Sequence, residues 1–180
     1  GDLLARPAGP VSAAVHAPTS GAIEAIEARA VPNAVARSDW CIVLRPDGAD
    51  RWGERVPLQL AGADRAGLLA RLRDFGLVGL GGAAFPSHIK LSLKEDAKIR
   101  WLVVNAAECE PYITCDDRLM RERAPELVRG LRLIGELLQP EEIVVGIEDN
   151  KPEAAAAIRA AASADRFNID IVPIPTLYPG

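Results

Sequence analysis

The sequence predicts an α/β protein in which a small β module precedes a parallel sheet. Two observations carry that expectation. The apolar period changes between residues 57 and 63, from short alternations broken by Pro and Gly to helical spacing. Beyond that point, three short apolar runs alternate with two helical patterns, an order that implies parallel strands joined by right-handed crossovers. The expected domains are therefore residues 1–60 and 61–180.

Taken in order, Val11 to Val15, Ala22 to Ile26 and Cys41 to Leu44 read as short strands. Ala17 to Gly21 (APTSG) is a turn between the first two, and Asp47-Gly48 is another. Asp64 to Phe75 places Leu68, Leu69, Leu72 and Phe75 at helical spacing, and Gly76 supplies a C-terminal stop. Ile99 to Val104 (IRWLVV) is apolar-rich, as expected for a strand buried on both faces. Asp116 or Asp117 can cap a short helix, and Pro125 restarts it as a first-turn proline. Leu127, Val128, Leu131, Ile134, Leu137 and Leu138 form the apolar stripe, which Pro140 ends. Ile143 to Ile147 (IVVGI) is a second buried strand. Asn150 caps a helix to about Ala162 with Pro152 in its first turn, and Ile169 to Pro173 (IDIVP) is the third strand.

Composition narrows the function. The 180 residues suffice for a real core, and no apolar run approaches the length of a membrane span. A net charge of -4 argues against nucleic acid or an anionic membrane surface as the main partner, since both need a basic footprint. Aromatic residues are too scarce for a base-stacking platform. Cys41, Cys109 and Cys115 lack CxxC spacing, which supports neither a disulfide framework nor a zinc site and fits a reducing, cytoplasmic setting. The opening GDLLARPAG lacks the form of a signal peptide and reads as the interior of a domain, so the chain is expected to be a segment of a longer protein.

In an open parallel sheet, ligands bind beyond the carboxyl ends of the strands. Those ends run into Asn105 to Pro111, Glu148 to Lys151 and Thr176 to Gly180, so three polar clusters fall on one rim. The second candidate is GLVGLGGAAFPSHIKL, Gly76 to Leu91. Gly79-x-Gly81-x-x-Ala84 fits a relaxed dinucleotide fingerprint, but it follows a helix instead of a strand, and Pro86 interrupts any helix it could open. A glycine-rich connector is one reading. The other is a backbone lying flat against a planar ligand, with Phe85 stacking or gating and Lys90 meeting a phosphate or a ring edge. Glu108 and Glu110, two apart, face the same side of an extended turn. They suit ribose hydroxyls or a carboxamide NH2, both donors, or else form a solvated acidic loop. Asn105 can cap the turn or read a flavin ring. Cys109 and Cys115 read as small buried residues, and His16 and His88 as surface residues.

GLGGAAFPSHIK (Gly79–Lys90), NAAECEPYITCDDRLM (Asn105–Met120) and GIEDNKPEA (Gly146–Ala154) together resemble the C subunit of the Rnf ion-translocating oxidoreductase. The first two also resemble the flavin-carrying 51-kDa-type subunit of respiratory complex I. HAPTSGAIEAI is similar to the barrel-sandwich module of these subunits, itself like biotinyl and lipoyl domains, though no carrier lysine stands at its turn. The resemblance implies a barrel-sandwich module followed by a Rossmann-like βαβαβ sheet. It implies FMN beside the glycine-rich loop with NADH stacked over it. Gly79, Gly81, Gly82, Phe85 and Lys90 match the first flavin loop, and Asn105, Glu108 and Glu110 the second; Ala84 stands where glycine is usual. It also implies electron transfer from NADH through FMN to two [4Fe-4S] clusters held beyond Gly180, with no catalytic acid or base needed. Without the last flavin loop, the segment alone is expected to bind FMN poorly. The implied partners are membrane and iron–sulfur subunits of an Rnf-type complex, and the implied location is the cytoplasmic face of the inner membrane. A cobalamin-reductase-like soluble flavoprotein and a docking module with a degenerate nucleotide site are the alternatives. Iron–sulfur spacing in the full-length chain and a flavin absorbance band separate the three.

Overall fold

The structure, a computed structural model, describes residues 1–32, 37–57, 64–80, 83–94, 96–108, 110 and 112–177. It divides into two compact units, Gly1–Leu93 and Lys94–Gly180. Each is described by itself.

In the first unit, β1 (Leu3–Ala5) pairs antiparallel with β2 (Val15–His16). A longer ribbon joins β3 (Gly21–Ala30) to β4 (Ser38–Pro46), with an irregularity between Ile23 and Ala25. The strand read from Val11 to Val15 forms only at its end, and the other two run longer than the apolar cores that signal them. The two predicted turns lock onto each other. Ser20 Oγ donates to Asp47 Oδ1 at 2.7 Å, the Ala49 N–H donates to the same oxygen at 2.9 Å, and Arg51 pairs with Asp47 at 2.6 Å. The Ser20 hydroxyl, with those neighbours, holds the Asp47 carboxyl below the usual range.

Helix α1 (Arg65–Asp74) starts at Asp64, whose Oδ1 accepts from the Gly67 N–H at 2.6 Å. It stops as the glycine predicts. Gly76 takes φ +71°, its N–H reaches Arg73 O at 3.1 Å, and the Leu77 N–H reaches Leu72 O at 3.1 Å. That pair of bonds is a Schellman cap, which satisfies carbonyls the helix end leaves over. The chain then returns on itself. Val78 bridges to Pro86, the Gly79 N–H donates to Phe85 O at 2.9 Å, and the Ser87 N–H donates to Leu77 O at 3.0 Å. A single helical turn, α2 (Ser87–Lys90), follows Pro86.

The second unit is the expected alternation: β5 (Trp101–Ala106), α3 (Cys115–Glu122), α4 (Ala124–Leu138), β6 (Glu142–Glu148), α5 (Pro152–Ala164) and β7 (Asp170–Ile174). The strands are parallel in the order β5-β6-β7, with Asn105 beside Gly146 and Glu148 beside Ile174. Because the order is sequential, two right-handed crossovers carry their helices to the same face of the sheet. Met120, Ala124, Val128, Val145, Ile147, Ala154, Ile158 and Ala162 form the core there.

That geometry corrects one expectation. β5 alternates instead of being buried on both faces, and Trp101 and Val103 are 52% and 66% exposed. Two cap assignments also change. Thr114 precedes α3, so Asp116 and Asp117 sit in its first turn; Lys151 precedes α5, one residue after Asn150. Pro125 and Pro152 occupy first-turn positions as expected.

Candidate functional site

The carboxyl ends of β5 and β6 and the turn after β7 meet on one rim. The Glu108 N–H donates to Glu148 Oε2 at 3.2 Å. The Asp149 N–H donates to Ile174 O at 2.8 Å, and Asp149 Oδ1 accepts the Thr176 hydroxyl at 2.7 Å. The Thr176 hydroxyl, aided by its N–H, lowers the Asp149 pKa. Tyr178, also expected on this rim, lies outside the described residues.

Asn105 is the last polar residue of β5 and is exposed. Its Oδ1 accepts the Ala107 N–H at 3.1 Å, an Asx turn that fixes how the chain leaves the strand. It also stands at the lip of an apolar hollow of about 340 Å3 lined by Val104, Met120, Leu131 and Ile158.

Glu108 and Glu110 do not share a side. The Glu108 side chain is only 3% exposed, whereas Glu110 is exposed. Glu108 Oε1 accepts the Asp116 N–H at 2.7 Å, and Oε2 meets Lys151 Nζ at 3.4 Å. Burial acts to raise the Glu108 pKa. The N–H groups of Asp116 and Asp117, together with the Lys151 ammonium, outweigh it and hold the carboxyl below the usual range. An anion at the start of α3 also meets the positive end of the helix dipole. Glu108 therefore ties together the turn after β5, the start of α3 and the turn after β6. Sequence reasoning places Lys151 in the second polar cluster of the rim but gives it no role; its pairing with Glu108 comes from the structure.

The ligand atoms of Glu108, Cys115 and Asp116 lie within 4.8 Å of one another. The Lys151 ammonium already supplies the positive charge that a metal ion would bring to Glu108. Cys115 itself is exposed, not buried as its residue type suggests, because it opens α3 on the rim. Tyr112, also unforeseen, is fully exposed with φ +67°, a strained placement for an aromatic residue.

The glycine-rich candidates belong to the first unit. Gly79 is held by its bond to Phe85 O, and an added Cβ would meet only the Phe85 backbone, at 3.8 Å. Gly81 and Gly82 lie outside the described residues. Ala84 takes φ +48°, the left-handed region where glycine is unstrained, which gives the alanine at this position a cost of about 1–2 kcal/mol. Phe85 is 45% exposed. Lys90 is exposed and makes no ion pair among the described residues. An open backbone, an exposed ring face and an uncommitted ammonium form a donor set that fits a planar ligand carrying a phosphate. His16, read as a surface residue, is half-buried.

The family model of the Nuo51 FMN-binding domain matches residues 72–180, and that of the RnfC barrel sandwich hybrid domain matches residues 1–49. The chain is 48% identical to the C subunit of the ion-translocating oxidoreductase complex of Pseudomonas aeruginosa, over 99% of this chain and 23% of that protein. It is 42% identical to the protein of the same name from Rhodobacter capsulatus, over 99% of this chain and 35% of that protein. The chain thus spans about a quarter to a third of the length of these curated relatives. Among solved structures, it is similar to a chain of an NAD+-reducing [NiFe]-hydrogenase in the H2-reduced state, at 26% identity and a TM-score of 0.51, covering 64% of this chain and 22% of that one.

Proposed function

This chain belongs to the family of Nuo51 FMN-binding domains, and we propose that it is the flavin- and NADH-binding part of a C-type subunit of an ion-translocating oxidoreductase. The observation that supports this reading most is the coexistence of the two family matches in one chain, 1–49 and 72–180. The relatives that carry the name of the C subunit of such a complex align with 99% of the chain. The domain assignment proposed for the full protein is a module over residues 1–60 and the flavin- and nucleotide-binding domain from residue 61 onward.

FMN, when bound, would supply the exchange between the electron pair that NADH surrenders and the single electrons that iron–sulfur clusters accept. The chain's own residues hold and orient. Gly79, Gly81 and Gly82 let the backbone approach a ring face without side chains in the way. Phe85 offers an aromatic face, and Lys90 a cation for the phosphate. Asn105 and Glu110 present polar groups at the sheet rim for the nucleotide. Glu108 acts through position: pinned by α3 and Lys151, it sets the path of the turn that carries Glu110. The clusters, the membrane subunits and other iron–sulfur partners, and a place on the cytoplasmic face of the inner membrane complete the proposal. No helix among the described residues is long and apolar enough to cross a membrane, which is compatible with attachment through partner subunits.

Substitutions in the full-length protein test the site. Gly81→Val places a branched side chain where close approach is required, and flavin should be lost on purification. Lys90→Ala removes one charge-assisted hydrogen bond, ~1.5–3 kcal/mol, so FMN affinity should fall roughly ten- to a hundredfold. Glu110→Gln should weaken NADH with little change in FMN. Full flavin retention by both of the first two variants would sink the assignment of this loop to the flavin.

A further inference from the structure

Tyr112 is the residue of the rim that folding does not explain. Its side chain is wholly exposed, and its φ is +67°. The Ile113 N–H donates to Glu110 O at 3.4 Å, which closes the four-residue turn from Glu110 to Ile113. Tyr112 is the third residue of that turn, and Pro111, a residue type favoured at the second position, precedes it in the sequence. A third residue with positive φ is the mark of a type II turn, where glycine or asparagine is at ease and a bulky side chain is not. Outside the glycine-rich return, the other described non-glycine residues with positive φ have local reasons. Gln139 and Arg166 follow the ends of α4 and α5, and Asp50 accepts the Thr19 hydroxyl at 2.8 Å. Tyr112 buries nothing in return for its strain.

A strained dihedral persists where the surrounding structure fixes it, and such positions cluster at functional sites. Here both flanks of Tyr112 are fixed. Upstream, Glu108 is held by the Asp116 N–H and by Lys151; downstream, Thr114 leads directly into α3. The turn follows the carboxyl end of β5, where an open parallel sheet takes its ligands. An aromatic face held out in water gains by covering a second flat ring. In the function proposed above, the same stretch of chain carries Asn105 and Glu110 to the nucleotide. Hydride transfer sets one face of the nicotinamide against the flavin and leaves the other face to the protein. Resting on that reading, we propose that Tyr112 covers the outer face of the nicotinamide ring, and that its strained turn holds the aromatic ring in place before the nucleotide arrives. Tyr112 is a binding residue on this account, and the flavin and the adenosine half of the nucleotide lie elsewhere.

The test uses the full-length, FMN-loaded protein, with NADH oxidation followed using ferricyanide as acceptor. Tyr112→Asn removes the ring and installs a residue type that tolerates positive φ. It should raise the KM for NADH about three- to tenfold, the contribution of one aromatic stack. Its kcat should stay within about twofold of wild type, and its FMN content should match. Its denaturant midpoint should be no lower than wild type, because strain is relieved and no buried contact is lost. Tyr112→Phe keeps the ring, so its KM should stay near that of wild type. Reduced nicotinamide mononucleotide, which has no adenosine half, should show the same fold rise in Tyr112→Asn as NADH does. An unchanged KM for NADH in Tyr112→Asn overturns the inference; that result belongs to a ring that docks a protein partner, which ferricyanide bypasses. A rise for NADH but not for the mononucleotide also overturns it, by placing the ring at the adenosine half. Loss of FMN, or a clearly lower midpoint, does so by giving the ring to the flavin or to the fold. A wild-type protein that carries FMN and oxidises NADH separates these failures from failure of the proposed function; a wild type that does neither overturns both.

Discussion

Replacing Gly76 by alanine should destabilise the first unit more than any substitution at a neighbouring surface position. Two effects add. Gly76 has φ +71°, where an L-residue costs about 1–2 kcal/mol. The lower entropy of an unfolded chain with alanine returns about 0.4–1 kcal/mol of that. The second effect is steric. The new Cβ would lie 2.3 Å from the Ala14 carbonyl oxygen, well inside the 3.0 Å that real Cβ atoms respect. The obstacle is backbone, so no rotamer change relieves it. Ala14 is itself buried at 7% exposure and is tied to Arg73 by its N–H, so moving it strains that bond and the packing around it. Forced overpacking of this kind costs about 1–3 kcal/mol. The expected total is roughly 2–4 kcal/mol. Hydrogen exchange on the full-length protein reads it locally: amides of Ala14, Gly76 and Leu77 should lose protection by roughly 30- to 1000-fold. Gly76→Asn eases the dihedral cost but keeps the Cβ, so it should recover less than half of the loss. Near-wild-type protection in Gly76→Ala, or full rescue by Asn, would refute the steric argument.

Two further substitutions follow from the same structure. Glu108 has a depressed pKa in the folded state, so its contribution is present above the ordinary glutamate pKa and is lost as pH falls through the lower, folded value. Glu108→Gln should therefore flatten the acid side of the stability profile, while lowering stability at neutral pH; denaturant midpoints at about pH 7 and about pH 4 check it, and an unaltered pH slope would count against the ion-pair account. Ala84→Gly relieves a left-handed alanine at φ +48°, so it should be neutral or stabilising by up to about 1 kcal/mol, against the usual cost of adding a loop glycine; a clear loss of stability would show the dihedral to be wrong.

The fold is largely legible in the sequence because its signals are local. The runs IRWLVV, IVVGI and IDIVP mark the three strands, and Pro125, Pro152 and Gly76 mark helix ends through constraints each residue carries itself. The misreadings come from effects that are not local. An apolar run predicts a β5 covered on both faces, yet sequential strand order sends both crossovers to one side. Asn150 has the right chemistry to cap α5, but Lys151 takes the position before the helix while reaching Glu108 across forty-three residues of chain. Glu108 and Glu110 look equivalent in sequence; only the start of α3 decides that one turns inward. His16 carries no pattern at all, since its setting depends on a return of the chain some sixty residues later at Gly76.

The most direct test of the central claim is an anaerobic titration of the full-length protein with NADH, followed in the visible spectrum. The account predicts a flavin absorbance band in the purified protein that bleaches on addition of NADH, with one NADH per FMN consumed by the flavin and up to one more by the two clusters, each of which takes a single electron. A folded full-length protein that carries no flavin, or whose flavin is bleached by dithionite but not by NADH, would contradict it.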